Sequence, residues 1–306
     1  MSAAADPTAP VPPVEWPTLA LAAAIHGGWI ALCVLHESLP WWGFVAAAAW
    51  VSAWFGSLQH EIIHGHPTRS RMVNAALAMP PLWLWLPWGR YRDSHLAHHA
   101  DSRLTDPLDD PESRYWTPQA WAALGAAGRA IDDAQSTLAG RLALGPAWGM
   151  SRFLRAEFAA LRQGDRDARG AWLVHALWMV PHCAFVFWIC GVPPWLYVLG
   201  FVQGGFSLTL LRSFAEHRAA TDPAHRTAIV ENSPVFGLLF LFNNLHAAHH
   251  RWPRVPWYRL PALHRARREA LIAGNGGLVY DGYAEIARRF LLRRHDAAIH
   301  PTGRAP

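Results

Sequence analysis

Two pairs of uncharged apolar segments constrain this chain more than any other feature of its sequence. The first pair covers residues 18–36 and 41–58, and the second covers residues 171–190 and 193–211; none of the four segments contains Asp, Glu, Lys or Arg. Each is about as long as an α-helix must be to cross ~30 Å of hydrocarbon. Because the connections within each pair are very short, each pair returns to the side of the membrane from which it started. The pattern predicts two transmembrane helical hairpins, and therefore four spans.

Arginine is distributed unevenly along the chain. All 27 basic residues are Arg, the first of them is Arg69, and none lies between Arg169 and Arg212. Arginine is thus confined to the two segments that follow the hairpins. Because each hairpin returns to the side from which it started, both segments lie on the same side of the membrane, and the positive-inside rule assigns that side to the cytoplasm. We expect a multi-pass protein of a bacterial inner membrane, with both termini cytoplasmic. A soluble bundle of buried helices is the alternative, but two Arg-free stretches of this length argue against it.

The predicted organisation has three parts. Residues 1–17 are rich in Pro and Ala and lack the basic start of a secretory signal, which predicts a disordered lead-in. Residues 18–262 form the membrane domain, with a helical cap made of residues 59–170 and 212–262. Residues 263–306 form a cytoplasmic tail. The predicted fold class is therefore all-α and integral to the membrane, with four transmembrane helices in two hairpins under a cytoplasmic helical cap.

Composition and motifs argue against nucleic-acid binding and against a cysteine-based site. The net charge is +5, but the arginines alternate with apolar runs and no finger, basic zipper or other nucleic-acid motif is present. The three cysteines, Cys33, Cys183 and Cys190, all lie in predicted spans, where they are expected to be small buried hydrophobic residues. They predict neither disulfides nor a cysteine metal site.

Half of the 18 histidines fall into a pattern that packing alone does not explain. One pair has the spacing i, i+4, and two triples have the spacing i, i+3, i+4, which places the imidazoles on one face of a helix. The ninth follows the last predicted span. The predicted metal ligands are His60, His64, His95, His98, His99, His217, His246, His249 and His250.

The number and position of these histidines indicate the kind of metal centre. Imidazole does not select strongly among Zn, Cu, Ni and Fe, but a structural zinc takes four ligands and usually recruits cysteine. Nine histidines from four segments therefore predict two metal ions. Two metal ions with open positions beside a membrane suggest activation of O2.

Three sequences in order, HEIIH at residues 60–64, HLAHH at 95–99 and HAAHH at 246–250, resemble the three histidine boxes of membrane fatty acid desaturases and their hydroxylase relatives. The resemblance extends over roughly residues 50–262 and is bacterial in type. Further similarity to bacterial members lies in four short runs: His64–Thr68, Ala215–Arg218, Asn243–His246 and Val255–Tyr258.

The resemblance implies a di-iron centre, with O2 as co-substrate, held by the box histidines and by one histidine after the fourth span, which here matches His217. One position departs from the pattern: animal acyl-CoA desaturases carry an Asn four residues before that histidine, where it holds a water on one iron, and this chain has Ser213. The surroundings of the irons are therefore expected to differ.

No catalytic side chain is predicted beyond the metal ligands. Residues near the boxes are candidates for orienting the ligand rings through their ring N–H groups. His66 lies two residues past His64 and is expected on another face of the same helix. The candidates are Glu61, His66, Asp93, Asp101, Asp106, Ser213, Glu216, Glu231 and Asn243.

The predicted function is an O2-dependent fatty acyl desaturase. The alternative within the same chemistry is a hydroxylase or ketolase of acyl lipid, alkane or carotenoid, since the box patterns do not separate these reactions. A membrane metal transporter is the alternative from another class, but transport sites usually lie near the bilayer midplane, whereas these histidines lie at span ends and in the cap.

The reaction needs electrons from another protein. The sequence carries no fused haem domain, no iron–sulfur motif and no dinucleotide fingerprint, which predicts a separate ferredoxin, rubredoxin or cytochrome as donor. Arginines near the third histidine box are candidates for receiving an acidic donor, although lipid headgroups attract them too. They are Arg251, Arg254, Arg265, Arg267 and Arg268.

Overall fold

The computed structural model describes residues 10–99 and 101–303, and these residues divide into two compact units. The apolar unit consists of residues 16–93 and 142–210; the histidine unit consists of the residues up to 15, of 94–141 and of 211 onward. The α-helices are α1 (Trp16–Val34), α2 (Trp41–Ile63), α3 (Arg71–Ala78), α4 (Trp88–His98), α5 (Pro118–Ala123), α6 (Ala126–Gln135), α7 (Leu138–Gln163), α8 (Arg166–Cys183), α9 (Pro194–Tyr197), α10 (Gly205–Glu216), α11 (Pro234–Leu239), α12 (His246–Arg251), α13 (Leu260–Gly274) and α14 (Gly282–Phe290).

Three helical stretches are long and apolar enough to cross a membrane within the described residues: Trp16–Val34, Arg166–Ile189 and Pro194–Glu216. The second stretch is α8 continued by a π-helical turn, and the third consists of α9 and α10 joined by another π-helical turn. Helix α2 has 23 residues but is not among the three. The predicted helical membrane protein is thus confirmed in outline, whereas the fourth span and the topology stay predictions.

The second candidate span presents its apolar side chains outward. Leu177, Val180 and Trp188 are exposed by 66%, 71% and 78% of their surface. Exposed apolar area of this density is unfavourable in water but is the expected surface of a helix that faces lipid.

Small residues allow α2 to pack closely in the apolar unit. A Cβ atom built on Gly205 would lie 2.3 Å from Ser52 Oγ, and one on Gly204 would lie 2.7 Å from the side chain of Ala49. The Ser52 hydroxyl donates to the Phe201 carbonyl at 2.6 Å, within the π-helical turn Val198–Gly204. Close approach through small residues and a hydroxyl is typical of helices that pack in membranes.

The helices extend past the predicted span ends. Helix α2 ends at Ile63 rather than at 58, and α10 ends at Glu216 rather than at 211. The predicted ends mark where the apolar run stops, but polar residues continue a helix when they find partners. In α10, Arg212 pairs with Glu216 one turn later at 2.8 Å. Helix α1 begins at Trp16, within the predicted lead-in, whose residues 1–9 lie outside the described part of the chain.

The histidine unit contains the one departure from an all-α fold in the described residues. Strand β1 (Ile229–Val230) pairs in parallel with β2 (Val279–Tyr280). Helices α13 and α14 flank β2, so most of the segment predicted as a tail is folded into this unit. The predicted boundaries of the lead, the cap and the tail otherwise stay predictions.

A buried ion pair fixes the last described residues of this unit. The Asp296 carboxylate, 9% exposed, accepts hydrogen bonds from Arg114 and from the Tyr115 hydroxyl. Burial raises the pKa of Asp296, but His295, Arg114 and Tyr115 outweigh it and lower that pKa to about 2.

Asp296→Asn is expected to destabilise the histidine unit by about 2 kcal/mol or more at neutral pH, because it leaves a buried guanidinium without its anion. The folded pKa of Asp296 lies below the unfolded value, so its contribution is present above about pH 4 and is lost as pH falls toward 2. Thermal unfolding in detergent should show a lower Tm for the variant at pH 7 and a smaller difference near pH 2. The exposed Asp167→Asn serves as control; equal Tm values for wild type and Asp296→Asn at pH 7 would contradict the assignment.

Candidate metal centre

Four imidazoles converge in the histidine unit and are named here the four-histidine cluster: His98, His217, His246 and His250. The Nε2 atom of His217 lies 3.0 Å from that of His98 and 2.9 Å from that of His246. The Nε2 atoms of His246 and His250 are 3.1 Å apart. All four side chains offer ligand atoms within 4.8 Å of one another.

Local helix geometry brings these rings together. His246 and His250 lie one turn apart on the short helix α12, so both rings fall on the same face. His98 is the last residue of α4. His217 follows α10 directly and pairs with Thr227 in an isolated antiparallel bridge, which holds its backbone in place.

The Asp110 carboxylate fixes the His98 ring. Its two oxygens lie 3.0 and 3.1 Å from His98 Nδ1, and its side chain is only 1% exposed. The backbone N–H groups of Thr105 and Glu112 also donate to this carboxylate, at 2.8 and 2.9 Å. A carboxylate that only accepts hydrogen bonds requires a proton on Nδ1, so Nε2 is the nitrogen of His98 that faces the cluster and is placed to bind a metal ion.

The rings of His217 and His246 also have acceptor oxygens next to Nδ1. His217 Nδ1 lies 3.3 Å from the Arg226 carbonyl. His246 Nδ1 lies 3.1 Å from the Asn243 carbonyl and 3.2 Å from Glu216 Oε1. The two carbonyls accept from Nδ1, which fixes the proton there and leaves the Nε2 lone pair directed into the cluster, and the Glu216 carboxylate lies beside the same edge of the His246 ring. Imidazole ligands of metal ions in proteins are typically oriented in this way.

The second convergence in this unit is the three-histidine group, made of His95, His99 and His249. The Nε2 atoms of His95 and His99 are 3.0 Å apart, and those of His99 and His249 are 3.2 Å apart. Glu112 Oε1 lies 3.3 Å from His95 Nδ1, in the same relation that Asp110 has to His98.

The first histidine pair lies at the end of α2 in the apolar unit. The rings of His60 and His64 are 5.1 Å apart, and His60 is fully buried. In the same unit, Glu61 Oε1 lies 3.9 Å from His66 Nε2, and both side chains are buried. The assignment of His60 and His64 as metal ligands stays a prediction, as does the supporting role of Glu61 and His66.

The electrostatics of the four-histidine cluster suit a cation. Burial lowers the pKa of His246 and His250 well below the usual value, so both rings are neutral, which is the form that binds metal. Burial also lowers the pKa of His98, but Glu112 and Asp110 outweigh it and raise that pKa to about 9. Without metal these carboxylates keep a second proton on His98, and a metal ion at Nε2 would take the place of that proton. The donor set therefore fits a divalent ion.

Among the predicted supporting residues, two contact a ligand of the four-histidine cluster: Glu216 through its carboxylate and Asn243 through its backbone carbonyl. Asp93 and Glu231 have other partners in the structure. Asp93 pairs with Arg92 at the surface. Glu231 bonds His264 and Arg268, both at 2.7 Å.

The remaining candidates are Asp106, Ser213 and Asp101. Asp106 is buried and accepts from the Leu108 backbone at 2.9 Å. Ser213 is partly buried on α10. The side chain of Asp101 lies outside the described residues.

Sequence reasoning missed Asp110 and Glu112. Both follow the second histidine box by more than ten residues in an irregular loop, where no helical spacing relates them to His98 or His95. The run Asp109-Asp110-Pro111-Glu112 was the available signal, because acidic residues so close to a box are candidates for holding its rings.

A cavity of about 520 Å³ lies beside the four-histidine cluster, within the histidine unit. His250 forms part of its wall, and Arg251, Trp252, Arg267 and Asn275 line it as well. The two arginines are exposed, so the cavity has a basic rim and a metal-ligand candidate in its wall.

Comparisons with known proteins agree with this centre. The sequence model described as "Fatty acid desaturase" matches residues 36–283. The chain is 28% identical over 249 residues to a β-carotene ketolase of a Paracoccus sp. strain, covering 79% of this chain and 86% of that protein. It is 27% identical over 228 residues to a β-carotene ketolase of a second Paracoccus sp. strain, covering 71% of this chain and 76% of that protein.

Proposed function

Because the chain belongs to the fatty acid desaturase family, we propose that it is a membrane oxidoreductase that uses two iron ions and O2 to oxidise a C–H bond of a hydrophobic substrate. The observation that carries this proposal is the four-histidine cluster, in which Nδ1 of His98, His217 and His246 is held by an acceptor outside the cluster and Nε2 faces inward. Four imidazoles whose ligand atoms lie within 4.8 Å of one another inside a protein form a metal-binding donor set.

The proposal assigns one iron to the four-histidine cluster. It assigns the second iron to the three-histidine group together with His60 and His64, an assignment that rests on the sequence pattern and the family. When bound, the irons supply the activation of O2 and the oxidising power that no side chain provides.

The residues of the chain hold and tune that centre. Asp110 and Glu216 each place a carboxylate against the Nδ1–H of a ligand ring. Such a partner fixes the ring and makes Nε2 a stronger donor. The buried setting of His98, His246 and their partners keeps water away from the ligands.

For the substrate we propose a carotenoid, oxidised by a ketolase or hydroxylase reaction. Both Paracoccus relatives are named β-carotene ketolases, and each match covers more than two thirds of both proteins. Fatty acyl desaturation is the second candidate, because the family model that matches 36–283 carries that description. Both substrates are long, apolar and dissolved in the bilayer, which suits a chain with exposed apolar helices.

Product analysis distinguishes the two candidates. We would express the chain in bacteria that make both β-carotene and ordinary phospholipids, and compare their lipids by mass spectrometry with those from the His246→Ala variant. A ketolase replaces two hydrogens of the carotenoid by one oxygen, and a hydroxylase adds one oxygen. A desaturase removes two hydrogens from an acyl chain. Absence of all three products, in membranes where the chain is iron-loaded and supplied with a donor, would contradict the proposal.

The remaining assignments concern placement and partners. We propose that α2 is the fourth span, that the histidines and both termini lie on the cytoplasmic side of a bacterial inner membrane, and that a separate ferredoxin, rubredoxin or cytochrome delivers the electrons. The support is the distribution of arginine: every Arg lies outside the four predicted spans, and the longer helices of the structure add only Arg166, Arg169 and Arg212 near their ends.

Charge reversal at the cavity rim tests the electron donor. Arg267→Glu is expected to slow reduction by an acidic donor protein about tenfold at low salt, because it replaces attraction by repulsion at the rim. The difference should shrink as salt is added, and reduction by a small neutral reductant should be unchanged. Arg288→Glu on α14, whose side chain does not line the cavity, is the matched control. Equal donor kinetics for wild type and Arg267→Glu would exclude this rim as the docking surface.

A further inference from the structure

The carboxylates that hold the second histidine box come from one loop. The carboxylate loop comprises residues 105–116 and lies in the histidine unit. Asp110 bonds His98, which belongs to the four-histidine cluster, and Glu112 bonds His95, which belongs to the three-histidine group. The conformation of this single loop therefore sets the orientation of one ring in each group.

The loop begins at a strained residue. Thr105 has a φ of +65°, a left-handed conformation that is costly for a β-branched residue. It is 2% exposed. Its backbone N–H donates to Asp110 Oδ2 at 2.8 Å, and its carbonyl accepts from Ser113 Oγ at 2.7 Å. This unfavourable conformation is what directs the Thr105 N–H toward the carboxylate, so other contacts must hold it.

His300 supplies such a contact from a distant part of the chain. Its Nε2 lies 3.0 Å from Thr105 Oγ1, and the ring is buried. The backbone N–H of Thr302 donates to His300 Nδ1 at 3.3 Å. Nδ1 is therefore the acceptor nitrogen, and Nε2–H donates to the Thr105 hydroxyl.

The same residue fastens the other end of the loop. The His300 backbone N–H donates to the Trp116 carbonyl at 3.1 Å, and the Trp116 N–H donates to the Ala298 carbonyl at 2.9 Å. These bonds form a short parallel bridge between Trp116 and Ile299. One residue thus contacts the first and the last residue of the carboxylate loop.

We propose that His300 is a positioning residue for the metal centre: by closing the carboxylate loop at Thr105 and Trp116, it holds Asp110 and Glu112 against the ligand rings. This inference rests on the proposed function, because it assumes that His95 and His98 bind iron. The segment around His300 would thus help to orient the metal-ligand rings, although none of its residues is itself a ligand.

Iron release measures this role without catalysis. Purified chain in detergent is loaded with ferrous iron under anaerobic conditions, and a ferrous chelator is added in excess. Changes to residues that support metal ligands typically weaken metal binding by about 10–100-fold. His300 acts through a further residue, so His300→Ala is expected to release iron about tenfold faster than wild type. His300→Gln, whose amide N–H can reach the position of Nε2–H, should restore most of the retention.

A matched pair at Thr105 isolates the side-chain contact. Thr105→Ser keeps the hydroxyl and should release iron at close to the wild-type rate, whereas Thr105→Val removes the hydroxyl at nearly constant volume and should resemble His300→Ala. The double variant should release iron no faster than the single variants, because both remove one interaction. His225→Ala, at an exposed position outside the loop, should behave as wild type. The comparison of Thr105→Ser with Thr105→Val tests the role of the His300–Thr105 contact even if His300→Ala fails to fold.

The outcomes separate the two proposals. Wild-type protein that takes up no iron would overturn the proposed function and this inference together. Wild-type protein that holds iron, with His300→Ala and Thr105→Val releasing it at the wild-type rate, would overturn the inference alone. Additive effects in the double variant would show two independent structural roles and would also contradict it.

Discussion

His246→Ala is expected to lower substrate oxidation below detection and to remove one of two bound irons. His246 lies at the centre of the four-histidine cluster, with its Nε2 near those of His217 and His250. It is also the ring that Glu216 orients. Alanine removes one nitrogen ligand and leaves the buried Glu216 carboxylate next to the space of the lost ring. The remaining three nitrogens are therefore expected to bind metal much more weakly.

The measurement for this variant combines metal content with oxidation of carotenoid and acyl lipid in membranes. His246 lies outside the candidate spans, so the variant should still insert into the membrane to the wild-type level. His225→Ala, at an exposed position, should retain both iron and activity. Full activity of His246→Ala would refute the assignment of the four-histidine cluster.

Asp110→Asn is expected to weaken iron binding by about 10–100-fold, the range typical of carboxylates that hold a metal-bound imidazole. The carboxylate accepts from three directions: from His98 Nδ1 and from the backbone N–H groups of Thr105 and Glu112. An amide turns one acceptor oxygen into an NH2 group. That NH2 group must face at least one of these donors, so the ring or the loop has to move.

Titration of the apo protein with ferrous iron measures the effect of Asp110→Asn. Asp93→Asn is the matched control, because Asp93 is half exposed and pairs with Arg92. The control is expected to bind iron with wild-type affinity. An Asp110→Asn protein that matches its control would mean that Asp110 does not support a metal ligand.

The convergence of histidines was predictable because helical spacing is local. The offsets within His95–His99 and His246–His250 determine which rings share a face before any tertiary structure is known. The same holds for the candidate spans, whose apolar runs are visible in the sequence. Glu216 was among the predicted candidates because it directly precedes His217 in the chain, although the ring that it contacts is that of His246.

The residues that orient the histidine rings were not predictable, because their role depends on contacts between residues that are distant in the sequence. The Asp110 carboxylate that bonds His98 is also held by the backbone N–H of Thr105, which takes a left-handed conformation, and nothing in the local sequence requires this. His300 contacts Thr105 from 195 positions away. The parallel pairing of β1 with β2 is equally long-range. The length of the helices beyond the apolar runs was not predictable for a related reason: the Arg212–Glu216 pair continues α10 past its apolar run.

Mössbauer spectroscopy of protein reconstituted with isotopically enriched ferrous iron, with protein and iron quantified in the same sample, tests the central claim most directly. The account predicts two irons per chain in wild type, with nitrogen-rich ligation, and one in His246→Ala. A single iron in wild type, or the same iron content in wild type and His246→Ala, would contradict it.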